Sequence, residues 1–479
     1  MKGVAQILDN LTNLLPFLLP EVVLAVTILL VTVSTLKRGI PHQVAHIIGI
    51  LGILVSLVLS QMNSTYLPGD WFTFDESAIW WKTLLDSAVV AILLFRTSRH
   101  LRTISGEYVI ITLMMLLGAH FLVMANHLFL VYLSVEIMSL SGYMLVALPL
   151  FRKNIDAGFK YLVFGAVSSA LMLYGISLFY GLEGNLSLAV ANSLSDHWST
   201  PLGYTVLVLI SFGLMFKVAA VPFHIWVPDV YEATPMPVIT LLSTVPKVAA
   251  IAFLLRWTDF LTESMYVTAI LAGLSMLAGN FGALRQQHMK RMMGFSAIAH
   301  TGFMLAGLLL VRDNPAYVYF YAATYVLMTV GAFHLLNYYE IRFGTETLED
   351  MTGASAVSGW KTVSMVIWMI ALTGLPPTAG FTAKLFLFGG LAEIYSVLED
   401  SYILWLLLFA VVNAVISLAY YLKIPYYMIF RKSEAQLWSA EKIWTKENFL
   451  GTILVLAVLI IFFKPEWLMG SINSISFVP

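Results

Sequence analysis

The chain alternates between long apolar runs and short polar connections, and the apolar runs have membrane-crossing length. A transmembrane helix needs about 17–25 residues. Runs of that kind occupy 14–36, 44–61, 79–95, 108–125, 128–149, 157–180, 203–221, 235–256, 267–284, 292–311, 316–338, 360–375 with 379–394, 402–422 and 449–464. The pieces 360–375 and 379–394 are each short for a full crossing and flank Gly374-Leu375-Pro376-Pro377. A Gly/Pro break at membrane depth is tolerated where the backbone lines a cavity, so the two pieces read as one broken span. The pattern predicts an all-α polytopic membrane protein with about 14 transmembrane helices. The first run exceeds a signal-peptide core of about 7–15 residues and is expected to be retained.

Charge placement tests this count. Loops after odd-numbered spans carry Lys37, Arg38, Arg96, Arg99, Arg102, Arg152, Lys153, Lys160, Arg285, Lys290, Arg291, Arg342, Lys361, Lys423, Arg431, Lys432, Lys442 and Lys446. The other side holds Lys2, Arg256, Arg312 and Lys464. The positive-inside rule then predicts a cytoplasmic odd side, with both termini outside the cytoplasm. Spans 4–8 and 9–13 are two sets of five. Because five is odd, the second set starts from the opposite face, the geometry of an inverted repeat. The expected units are 1–107 (spans 1–3), 108–256 (first repeat), 257–425 (second repeat) and 426–479 (span 14).

Composition narrows the chemistry. Charged residues make up 11% of the chain, far below the roughly 25% of a soluble domain. The net charge of −1 offers no basic surface for nucleic acid. With 0 cysteines, thiolate-bound iron–sulfur clusters and disulfides are excluded. No nucleotide-binding pattern stands in a fitting context, and no histidine pair has the spacing of a metal or haem site. The expectation is a chain with no cofactor of its own, embedded in lipid.

The informative residues are the charges inside the spans. A lysine at the centre of a membrane helix costs about 2.5–3.5 kcal/mol, whereas a leucine returns about 0.3–0.6 kcal/mol. A purely structural helix would gain by losing it. Lys217 and Lys247 each lie in such a span, and Pro246 next to Lys247 is expected to kink it and admit water. Lys384 follows the Pro-Pro break. Glu136 lies eight residues into an apolar span and is expected to pair with Lys217, so that their titrations couple. Buried lysines and carboxylates of this kind can load and release protons. The blander reading is a set of fixed ion pairs, which stabilise poorly compared with apolar packing.

His300 and His334, in spans 10 and 11, can relay protons or serve as hydrogen-bonded packing. His224, after Pro222, and Lys160, at the start of span 6, are candidate entry residues or surface anchors. Lys82 and Asp86, four residues apart, are expected to satisfy each other. Glu21 is placed at an interface. Asp229 and Glu232 read as proton-gathering or merely solvated loop charges.

The stretches FKVAAVPFHIWVPDVYEATPMPVITLLSTVPKVAA and MKRMMGFSAIAHTGFMLAG, with LLPE at Leu18–Glu21, resemble the antiporter-like membrane subunits of respiratory complex I. Within that group the chain is most similar to the subunit N branch. The resemblance implies a charged axis at the membrane midplane, carried here by Glu136, Lys217, Lys247 and Lys384. The sister M branch has glutamate at the position of Lys384, and the sister L branch has a long C-terminal extension. The resemblance further implies partner membrane and peripheral subunits, with NADH, FMN, iron–sulfur clusters and quinone bound in those subunits. The implied activity is proton translocation coupled to quinone reduction elsewhere in the complex. A multisubunit cation/proton antiporter and a passive membrane scaffold are the alternatives.

Overall fold

The computed structural model describes residues 15–36, 42–62, 67–95, 104–188, 200–257, 265–356, 358–431 and 446–475. The apolar runs fold as helices: α1 Leu19–Leu36, α2 His42–Met62, α3 Glu76–Leu93, α4 Ser105–Val123, α5 Leu128–Ala147, α6 Arg152–Glu183, α7 Pro201–Val218, α8 Trp226–Ala233 and α9 Met236–Trp257. The second half gives α10 Met265–Leu284, α11 Met289–Gly307, α12 Ala316–Phe343, α13 Gly359–Thr373, α14 Ala379–Leu398, α15 Ser401–Tyr421, α16 Lys423–Phe430, α17 Lys446–Phe463 and α18 Pro465–Asn473. A two-residue hairpin pairs β1 Leu67–Pro68 with β2 Thr73–Phe74. Among the described residues, 12 helices are long and apolar enough to cross a membrane, or 13 if the bent pair α17–α18 is one span. The other helix in the sequence count, α3, carries Glu76, Lys82 and Asp86 and is less apolar for that reason.

α9 is the centre of the bundle. Every residue of it except Arg256 is buried, and it packs against α3, α4, α7 and α12. α11 and α12 are nearly as deeply enclosed, whereas α1, α2, α6 and α15 turn much of their apolar surface outward. Lys247, His300 and His334 thus lie on inner helices, whereas Lys384 is itself buried on α14, a helix that turns much of its surface outward. Such a placement leaves the lipid to the outer helices.

Loops that the charge count assigns to one side meet one another. Lys160, Asp229, Glu232, His288 and Glu346 share one cleft of about 350 Å³. On the other side, Arg256 donates to both oxygens of Asp75, at 2.9 and 2.7 Å. Asp75 also caps α3, accepting from the Ala78 amide at 2.6 Å. Lys2, Lys37, Arg38, Arg96, Arg99, Arg102, Lys432 and Lys442, which entered the charge count, lie outside the described residues.

Three expectations need correction. The connection after Pro222 is not simply a loop, because it contains the helix α8. Lys82 does not pair with Asp86: it binds Glu21 at 2.7 Å, and Asp86 meets His120 at 3.0 Å. Glu21 is buried, at 4% exposure, because α1 packs against α4 and carries its first turn inside the bundle.

Candidate functional site

Two helices break, one in each half of the chain. α7 stops at Val218, and Ala219 takes a left-handed conformation, φ 61°. The chain then turns through residues 219–225 into α8. In the second half, α13 stops at Thr373, Gly374 takes φ 84°, and α14 begins at Ala379. Each break exposes carbonyls that a continuous helix would have bonded. In the first, Thr301 Oγ1 donates to the Val218 carbonyl at 2.5 Å. In the second, the donor is Lys384 Nζ, bonded to the Thr373 carbonyl at 2.5 Å. A cation at a helix C-terminus also meets the negative end of the helix dipole.

Lys217 sits one residue before the first break and is buried, at 2% exposure. Its Nζ has no hydrogen-bond partner among the described residues, and neither does Glu136 Oε1. The two interact electrostatically, but they do not form the contact pair expected from the sequence. The sequence reading joined them because they were the charged residues of neighbouring spans. In the folded chain Glu136 on α5 stands off from Lys217, leaving both groups open to water or to each other.

Lys247 lies at the middle of α9, which passes through Pro246 as one helix. Its Nζ donates to the Ala297 carbonyl of α11 at 2.6 Å and lies 5.5 Å from the Tyr325 ring centroid. Tyr325 Oη donates to the Ser243 carbonyl at 3.1 Å, in the turn where Pro246 removes a backbone donor. His300 is one turn beyond Ala297 on α11. Its Nδ1 meets Tyr321 Oη at 2.9 Å and its Nε2 meets Tyr421 Oη at 3.2 Å. Tyr421 in turn bonds the Ser296 hydroxyl. His300 interacts electrostatically with both Lys384 and Lys247, so it lies near both. Lys384 closes the series, 4.7 Å from the Phe303 ring centroid.

The other sequence candidates fall at the edges. Lys160 is exposed and binds Asp229 of α8 at 2.8 Å. Arg291 of α11 donates to Asp229 at 2.7 Å and to Glu232 at 2.8 Å. Burial pushes the Asp229 carboxyl up, but hydrogen bonds from Lys160 and Arg291 outweigh it and hold the group below the usual carboxylate range. His224 lies in the turn between α7 and α8, with Nδ1 buried. His334 packs edge-on against Phe95, ring centroids 5.0 Å apart, and shares a small cavity with Lys361, Tyr338 and Trp368.

Sequence reasoning missed a further buried lysine. Lys290, at the start of α11, donates to Glu340 of α12 at 2.5 Å and to the Thr234 carbonyl at the end of α8 at 3.0 Å. It read as one of several basic loop residues, because its partners are distant in sequence. A Lys–Arg pair opening an apolar helix was the signal available.

A helical bundle with lysines at its core and paired helix breaks defines a class of ion-handling membrane subunits. Over residues 125–417 the chain matches the family described as NADH:quinone oxidoreductase/Mrp antiporter, TM, and it belongs to that family. NADH-quinone oxidoreductase subunit N of Nitrosomonas europaea is 33% identical over 476 residues, covering 94% of this chain and 95% of the relative. Among solved structures, a chain of respiratory complex I from Thermus thermophilus with bound Aureothin aligns with TM-score 0.79 and 28% identity. That alignment covers 94% of this chain and 98% of the other. A chain of the Mrp complex from Dietzia sp. DQ12-45-1b shares the fold, with TM-score 0.81 at 17% identity over 96% of this chain and 97% of its own length.

Proposed function

We propose that this chain is the proton-translocating subunit N of an NADH:quinone oxidoreductase, and that protons pass along Glu136, Lys217, Lys247, His300 and Lys384. The observation that carries the reading is the series itself. Titratable groups stand on α5, α7, α9, α11 and α14 of an apolar bundle, four of them buried and Glu136 half-buried. Lys217 Nζ and, standing off from it, Glu136 Oε1 are both without hydrogen-bond partners among the described residues. Quinone reduction and NADH oxidation belong, on this reading, to partner subunits. The chain sits in the inner membrane with the Lys160–Asp229–Arg291 cluster on the cytoplasmic side, where His224 and Lys160 serve entry. His334 and Lys361 form a side branch. Spans 4–8 and 9–13 act as two inverted units, each with one broken helix.

The mechanism follows from pairing. When Glu136 approaches Lys217 the two stabilise each other's charged forms. When it withdraws, the ammonium loses that support and its proton can pass to Lys247. From Lys247 the path runs past the Tyr325 ring to His300, which Tyr321 and Tyr421 hold, and on towards Lys384. Moving one charge across 100 mV requires about 2.3 kcal/mol. One pKa unit corresponds to about 1.36 kcal/mol, so a swing of roughly two units per site suffices. The test is proton pumping by the assembled complex with Lys217→Ala. Wild-type pumping at wild-type assembly would refute the role of Lys217.

A second reading has support in the fold shared with the Mrp complex: a subunit of a cation/proton antiporter. Co-purification decides between the two. NADH-oxidising subunits held by this chain in mild detergent support the first reading, and their absence from an otherwise intact complex supports the second.

A further inference from the structure

Outside the lysine series the bundle holds a second group of buried charges. Glu21 of α1, Lys82 and Asp86 of α3 and His120 of α4 lie within bonding distance of one another, each 4% exposed or less. Glu21 Oε1 accepts from Lys82 at 2.7 Å and lies 3.1 Å from His120 Nδ1. His120 Nε2 lies 3.0 Å from Asp86 Oδ1. Both ring nitrogens of one histidine therefore face carboxylate oxygens.

This arrangement fixes the proton count. A neutral imidazole has one donor and one acceptor nitrogen. With both carboxylates ionised, its acceptor nitrogen would face an oxygen lone pair, leaving two buried acceptors opposed. The group must therefore hold one more proton. Either His120 is an imidazolium donating to both carboxylates, or neutral His120 donates from Nδ1 to Glu21 and accepts at Nε2 from a protonated Asp86. The two forms differ by transfer of a single proton across a 3.0 Å gap. Both have zero net charge with Lys82 protonated and Glu21 ionised.

A fixed ion-pair network would be expected to satisfy every acceptor, since a half-satisfied buried network is costly. Here Glu21 Oε2 and Asp86 Oδ2 are both buried and without a hydrogen-bond partner among the described residues. Each carboxylate keeps one oxygen free to take a proton or a water. A small cavity also touches the group at Lys82. A narrow cleft runs along α3 between Asp75 and Lys82, lined by Pro20, Ser60 and Ala78, with a volume of about 10 Å³. That is close to the least that holds one water. Lys82 is seven residues, roughly 10 Å, along the helix from the Asp75 cap.

We propose that Glu21, Lys82, Asp86 and His120 form a second proton-binding site, which holds one exchangeable proton between His120 and Asp86 and communicates through the Lys82 cleft with the end of the bundle at Asp75. The site is independent of the Glu136–Lys384 series. α4 also packs against α2, α5 and α9, which carry His46, Glu136, Lys247 and Arg256. The charged groups acting on His120 are nevertheless Asp86 and Glu21. α3 packs against α9 and α12 as well, and there Arg256 is taken by Asp75.

The experiment is infrared difference spectroscopy of the purified, assembled complex between about pH 5 and pH 9, a range that brackets ordinary histidine titration. Wild type is compared with Asp86→Asn and His120→Gln. The expected result is an imidazole and carboxylate signal in wild type that each variant removes, while bands from other groups persist. Asp86→Asn keeps the shape and one hydrogen bond, so it decides the matter alone if His120→Gln fails to assemble. Difference spectra identical in wild type and Asp86→Asn would overturn the proposal and leave a fixed ion-pair network.

Discussion

Lys384, on α14, donates from Nζ to the carbonyl of Thr373, the last residue of α13, at 2.5 Å. One side chain thus closes the break that gave it room. The bond ties the charge to the backbone geometry of the break. Gly374, which follows Thr373, has φ 84°, and a Cβ there would come within 2.6 Å of Lys384 Cδ.

Gly374→Ala is therefore expected to cost about 1–3 kcal/mol for a side chain held in the left-handed region and to displace Lys384 from the Thr373 carbonyl. The measurement is thermal unfolding of the assembled complex together with its pumping rate. Both are expected to fall, with electron transfer in partner subunits retained. A variant as stable and as active as wild type would contradict the link between the break and the lysine.

Glu136→Gln tests the open pair. It keeps size and polarity but removes the charge that supports the Lys217 ammonium. Pumping is expected to fall while the chain still assembles, because α5 makes no contact pair through Glu136 that could be lost. Reduced assembly in step with reduced pumping would indicate a packing role instead.

Asp229 gives a pH prediction at the surface. Its folded-state pKa lies below the ordinary carboxylate value, with Lys160 and Arg291 as the partners that hold it down. The sign is that of a depressed acid: its contribution is full above the unfolded pKa and disappears as pH falls through the folded one. Asp229→Asn should therefore lower thermal stability at neutral pH, with the gap to wild type starting to shrink only below about pH 4 and closing below the depressed folded value. The pair is partly exposed, so the difference should be at most about 1 kcal/mol and should shrink in high salt. A gap between variant and wild type that stays constant with pH would assign the loss to packing.

Much of this fold was legible because lipid leaves the sequence few options. Long apolar runs must be helices, and unpaired charges inside them must face inward. Lys217, Lys247 and Lys384 stood out for that reason. What stayed hidden depended on long-range pairing. Lys82 and Asp86, four residues apart on α3, offered a local pairing, whereas their partners come from α1 and α4. His120, inside GAHFLV, drew no reading from the sequence at all, because its partner Asp86 comes from α3. α8 was hidden by its length and its two prolines' worth of surrounding turn signals: eight residues with Asp229 and Glu232 read as loop. Only its docking against α6 and α11, with Trp226 stacked 4.1 Å from Tyr161, makes it a helix.

Lys247→Arg separates a proton carrier from a fixed charge. The wild-type ammonium bonds Ala297 O at 2.6 Å, and a guanidinium can keep both the charge and a bond of this kind. It cannot give up its proton in the physiological range, since arginine stays protonated up to about pH 12. If Lys247 only fixes α9 against α11, the variant should pump nearly as well as wild type once it assembles. If the proton passes through Lys247, the relay from Lys217 towards His300 stops at a group that never empties. Expected, then, is normal assembly, quinone reduction that continues when the membrane potential is collapsed, and a lower proton yield per quinone reduced. The measurement is the ratio of protons moved to quinone reduced in proteoliposomes, for wild type, Lys247→Arg and Lys247→Met. Arginine and methionine variants that fail alike support a carrier. An arginine variant with wild-type ratio and rate would show that charge alone is required at this position, and the path through Lys247 would have to be abandoned.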